Sequence, residues 1–170
     1  MSLSLDAIFL DAIEADETIM EMIGQHEETD DEGQAVLVGG RRWCTSAPMP
    51  EEQFLDNVEV PYIIVNFDGF TTDDGTKDDD YDSGDDTVQI SITIAAMNQE
   101  QLADLAGRVR RAVHNYMTTH MGESGIPYST KPGGGRKFYD EDKPCYGINL
   151  TWECKTSFDL NDEDDEQDEG

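Results

Sequence analysis

The sequence predicts an α+β protein in which an N-terminal helix pair and one long amphipathic helix pack on a mixed or antiparallel sheet of about four to five strands. Three observations predict it. Apolar residues recur at helical spacing near the start, Val88–Ile94 alternates with period two, and an apolar stripe from Leu102 to Met117 separates two groups of strand candidates.

Leu5, Ile8, Phe9, Ala12 and Ile13 repeat at helical spacing, with Ser2 or Ser4 as a potential N-cap and the acids assigned to the opposite face. Asp16 reads as the N-cap of a second, short helix carrying Ile19, Met20 and Ile23, and Gly24 suits a left-handed terminating residue. Gln25–Gly40 reads as an acidic loop or small hairpin ahead of a short strand at Arg41–Thr45, and Ala47–Val60 as a connecting arm.

Pro61 opens the run Tyr62–Phe67, whose β-branched and aromatic density predicts a strand buried on both faces. In the next strand Val88, Ile90, Ile92 and Ile94 alternate with Gln89, Ser91 and Thr93, which buries one face. Asn98 and Gln101 resemble a capping box that opens the long helix. Gly122–Gly135 reads as a flexible connection. Arg136–Tyr139 and Tyr146–Cys154 then form a terminal hairpin. One domain over residues 1–158 is expected, with 159–170 as an acidic, extended or disordered tail.

Composition narrows the function. Eleven lysines and arginines face 39 aspartates and glutamates, giving a formal net charge of −28, which repels phosphate backbones and argues against tight nucleic-acid binding. The acids concentrate in Glu27–Glu32, Asp68–Asp86 and Asp159–Gly170, so exposed fringes carry most of the excess. This pattern fits a halophilic setting as well as an acidic protein from ordinary salt, since molar salt shortens the Debye length to about 3 Å. The start, MSLSLDAIF, lacks a basic n-region and is interrupted by Asp6 and Asp11, so neither signal peptide nor membrane anchor is expected.

No catalytic, cofactor or metal constellation is expected. Asp78, Asp80 and Asp82 alternate as in a calcium loop, but Ser83 and Gln89 stand where the loop needs glycine and glutamate. His26, His114 and His120 lack ligand spacing, and the loop GGGR at Gly133–Arg136 lacks the phosphate-loop lysine. Cys44, Cys145 and Cys154 are expected to be reduced and partly buried, a cysteine hydrolase being the enzymatic alternative. Arg108, Arg110 and Arg111 form the densest basic cluster, with Asp104 one helical turn before Arg108 to pair with it.

The order of these elements resembles the tail-terminator, or tail-completion, proteins of long-tailed viruses. The carrying residues are the opening helix, Ile13–Gly24, Gly40–Cys44, PYIIVNFDGF at Pro61–Phe70, VQISITIAA at Val88–Ala96, Gln101–Val113 and YGINLTWECK at Tyr146–Lys155. The inserts at Gln25–Val38 and Asp68–Asp86 and the acidic tail are longer and more charged than such loops usually are. The resemblance implies a virion protein assembled in the host cytoplasm into a ring of its own copies, commonly a hexamer. That ring caps the head-proximal end of the tail tube, touches the tube protein and a neck connector, and lets DNA pass without specific binding. Arg41, Arg42, Arg108 and Arg111 are the candidate subunit or neck contacts. Asp78, Asp79, Asp80, Asp82, Asp85 and Asp86 are candidates for a solvent- or lumen-facing acidic loop. Another neck ring protein and an acidic DNA-mimic inhibitor stand as alternatives.

Overall fold

A computed structural model describes residues 4–38, 40–47, 60–73, 83–142 and 145–159. Their order is α1 (Leu5–Glu14), α2 (Glu17–Met22), β1 (His26–Thr29), β2 (Ala35–Val38), β3 (Arg42–Cys44), β4 (Tyr62–Asp73), β5 (Ser83–Ala96), α3 (Gln99–Thr119), β6 (Ser129–Asp140) and β7 (Cys145–Asp159). The predicted α+β class holds. The large sheet has five strands in the order β3-β4-β5-β7-β6, and β1 and β2 form a separate hairpin. Only the β3–β4 pair is parallel, so the sheet is mixed.

Register explains the core. Ile63 and Val65 of β4 lie level with Ile94 and Ile92 of β5, and these lie level with Ile148 and Leu150 of β7. All therefore share one face. The next pairs down are Ile90 with Trp152 and Val88 with Cys154. Against this face pack α1, over β3 and β4, and α3, over β5 and β7. Leu102, Leu105, Val109 and Val113 of α3 are fully or almost fully buried there. Phe9 of α1 meets Trp152 edge to face, ring centroids 5.5 Å apart, a pairing that contributes about 0.5–1.5 kcal/mol beyond its area burial.

The ends of α2 and the start of α3 follow their sequence signals, whereas Ser4 stands at the N-cap position of α1 without a side-chain capping bond. The Asp16 carboxylate accepts from the Ile19 amide at 3.1 Å. At the other end of α2, Gly24 has φ +86, its amide reaches Glu21 O and the Gln25 amide reaches Met20 O, which is a Schellman closure. At the start of α3 the Asn98 side chain accepts from the Gln101 amide at 2.8 Å, and Gln101 Oε1 accepts from the Met97 amide at 2.9 Å.

Four expectations are corrected. The β4 run is buried on one face only: Ile63 and Val65 are buried, whereas Tyr62, Ile64 and Asn66 are half-buried on a face that no described element covers. The glycines at 133–135 are not in a loop, because β6 begins at Ser129 and runs through them, accommodating an extra residue between Pro132 and Gly134. The described parts of the stretch Asp68–Asp86 are strand: Asp68–Asp73 belong to β4 and Ser83–Asp86 to β5. Asp6 does not share the solvent face of α1.

Asp6 is fully buried. Its Oδ2 accepts from Thr45 Oγ1 at 2.8 Å and from the Ser46 amide at 2.6 Å, and its Oδ1 accepts from the Ser46 hydroxyl. Thr45 Oγ1 in turn accepts from the Phe67 amide at 3.0 Å. One carboxylate thus ties α1 to the end of β3, and through Thr45 to β4. The pair of bulges at Asp68 of β4 and Gly133 of β6 lies at one level, beside the Ile90–Trp152 pair. The long strands outrun the helices, since 14- and 15-residue strands span roughly 45 Å and the 21-residue α3 roughly 30 Å.

Replacing Asp6 with alanine removes the acceptor of three part-buried hydrogen bonds from Thr45 and Ser46. D6A is expected to lower the unfolding free energy by about 2–4 kcal/mol. The check is the denaturant midpoint at unchanged slope, and D6N, which keeps an acceptor oxygen, should lose less.

Candidate assembly surfaces

Three features of the described sheet are open to a neighbour: the face away from the helices, the β6 edge and the protruding β1–β2 hairpin. The uncovered face is built in rows that cross the strands. One row is Trp43, Ile64, Thr93, Asn149 and Arg136, spanning all five strands. The Thr93 hydroxyl donates to Asn149 Oδ1 at 2.7 Å, and Asn66 Nδ2 donates to Thr93 Oγ1 at 3.4 Å, so the middle of this face is a linked amide and hydroxyl row. The neighbouring row, Tyr62, Ala95, Gly147 and Phe138, is apolar. Phe138 covers Gly147 so closely that a methyl there would stand 2.1 Å from its ring carbon Cζ. Toward the bulges the face carries Ser91, Thr151, Gln89, Glu153 and Lys131. In a chain with 39 acids this face is nearly neutral, the composition expected where partners are desolvated.

The sequence-derived contact residues divide. Arg108 does not pair with Asp104: its Nε lies 3.0 Å from Asp16 Oδ2 and its Nη2 donates to Thr18 Oγ1 at 3.2 Å, fastening α3 to the start of α2. Arg42 donates from Nη1 to Gly40 O at 2.8 Å and lies 3.3 Å from Glu14 Oε1, joining β3 to the end of α1. Arg41 is half-buried, and Arg111 is exposed on α3. The four arginines are therefore not gathered into one patch.

The acidic candidates divide as well. Asp78, Asp79, Asp80 and Asp82 lie outside the described residues. Asp85 accepts from Tyr128 OH at 2.9 Å and Ser157 Oγ at 3.3 Å, and Asp86 is buried and accepts from Thr72 Oγ1 at 2.8 Å. Both act within the sheet, contrary to their reading as loop residues. Sequence reasoning also missed Asp6, although it falls at i, i+3 and i+7 with Phe9 and Ile13, on the buried stripe itself.

The surroundings of the cysteines oppose a nucleophilic role for them. Burial, and then the charge of Asp6, pushes the Cys44 thiol up, and burial pushes the Cys154 thiol up to about 12, the reverse of what a reactive thiolate requires. Cys145 is likewise buried. Among the described residues no group of three histidine, cysteine or carboxylate side chains is placed to hold a metal, and no helix is long and apolar enough to cross a membrane.

The class these features define is a small α+β fold in which no described element covers one sheet face or the β6 edge. No protein-family model and no curated protein matches the chain. Among solved structures it is similar to a chain in the virion of a native gene transfer agent particle, with a TM-score of 0.51 and 12% identity over 91% of this chain and 95% of that one. The likeness is one of fold, and it spans nearly the whole of both chains.

Two outcomes follow. Iodoacetamide should leave all three cysteines unmodified in the native protein and label all three after unfolding, as read by intact mass; rapid native labelling of one would contradict their inert burial. Arg108→Ala should lower stability by about 0.5–1 kcal/mol, measured by thermal unfolding, because its ion pair with Asp16 is partly solvated.

Proposed function

We propose that this protein is a non-enzymatic structural component of a virus-like particle. In this reading it forms a ring, of six copies by resemblance, at the head-proximal end of a tail tube, ending tube growth and joining tail to neck. The observation that carries this reading is the end-to-end fold likeness to a chain of a gene transfer agent virion. The near-neutral open face and the free sheet edge support it, since a head-to-tail ring needs two complementary patches on each copy. Its partners would be its own copies, the tube protein and a neck protein. Exposed Arg111, with Arg41 beside β3, is the proposed neck or subunit contact. The segment with Asp78, Asp79, Asp80 and Asp82 would line the channel and repel passing DNA. A neck ring in another position of the same particle is the second reading, which the fold likeness supports equally.

The test is twofold. Native mass and electron microscopy of the purified protein, at low and at molar salt, should show a closed ring under at least one condition. Particles made without it should carry tubes of uncontrolled length. A strict monomer at both salts would overturn ring formation, and normal tails in its absence would favour the neck position.

A further inference from the structure

A chain of net charge −28 repels its own copies, so self-association needs a contact at which opposite charges meet. The fold supplies one pair of surfaces that fits. Strand β6 is the edge of the five-stranded sheet, it is exposed from Lys131 to Lys137, and it carries Lys131, Arg136 and Lys137, three of the eleven cationic side chains. The β1–β2 hairpin carries Glu27, Glu28, Asp30, Asp31 and Glu32, and all of β1 is exposed.

The two surfaces lie on opposite sides of the molecule. The hairpin leads through Gly40 into β3, the sheet edge farthest from β6, and Gly40 sits so tightly against Gln25 that a Cβ there would be 2.9 Å from the Gln25 side chain. Its base is thus fixed at the β3 side. Its tip is fixed too: Asp30 Oδ1 accepts from the Glu32 and Gln34 amides at 2.9 and 2.8 Å, and Gly33 turns the chain at φ +83. Oppositely charged, preformed patches on opposite edges are what a heterologous, ring-closing contact requires.

We propose that the acidic β1–β2 hairpin of one copy docks along the basic β6 edge of the next. This rests on the ring reading above and specifies its interface. Charge attraction would overcome the general repulsion, and the hairpin would cover an edge strand that otherwise offers its backbone groups to any passing strand.

The experiment uses full-length chains at physiological ionic strength and reads oligomeric mass by analytical ultracentrifugation. One variant reverses the edge, K131E/R136E/K137E. The other reverses the hairpin, E27K/D31K/E32K, and leaves the turn-forming Asp30 intact. Each alone should associate about tenfold more weakly, or worse, than the parent. An equal mixture of the two should recover assembly, because each variant's altered surface then faces a complementary one on the other; recovery also shows that both are folded. Parent-like assembly of either variant alone, or failure of the mixture to recover, overturns this interface while leaving the ring in place. A parent protein that never associates overturns both.

Discussion

The five-stranded sheet has apolar side chains in register on one face, and α1 and α3 pack directly on it, with Ile19 and Ile23 at α2 and Ile126 after α3 joining the same core. Ile63, Val65, Ile90, Ile92, Ile94, Leu150 and Trp152 must leave water together, and α1 and α3 can lie over only part of sheets roughly 45 Å long. The rest of the architecture follows from that limit. The two flanking strands bulge beside the Ile90–Trp152 pair, and past it the buried positions pass from Val88 and Cys154 to Asp86 and Thr156. The opposite face is left with half-buried amides, hydroxyls and a few aromatics, and the β6 edge is left open.

Charge is sorted by the same geometry. The acids that enter the body are individually satisfied, Asp6 by three donors from Thr45 and Ser46 and Asp86 by Thr72, because an unpaired buried carboxylate would be too costly. Asp16 serves twice, capping α2 and receiving Arg108 from α3. Among the other acids, Asp31 and Glu32 sit exposed at the hairpin tip, and Asp11, Glu17, Glu100 and Asp104 are exposed on the helices. The cations are fewer, and three of the eleven, Lys131, Arg136 and Lys137, lie together on β6. A single polypeptide thereby presents an acidic hairpin and a stretch of basic sheet edge, an arrangement suited to repeating contacts between copies.

Local pattern alone determined the element types, their order and the α+β class, because the periodicities of 3.6 and 2 report which side chains of one segment can share a face. It also found the side-chain caps of α2 and α3 and the closing Gly24, whose signals lie within a few residues of the bond they make. What tertiary structure decided was every choice between partners distant in sequence. Arg108 had Asp104 at helical spacing, yet α2 brings the already positioned Asp16 to it. Gly133–Gly135 read as a loop on local grounds, and only pairing with Asn149–Thr151 of β7 holds them in a strand. Asp6 read as a solvent-facing acid until the end of β3, some forty residues later in the chain, supplied its donors. Local sequence carries steric and periodic preference, but the desolvation that selects among long-range polar partners exists only once the layers are assembled.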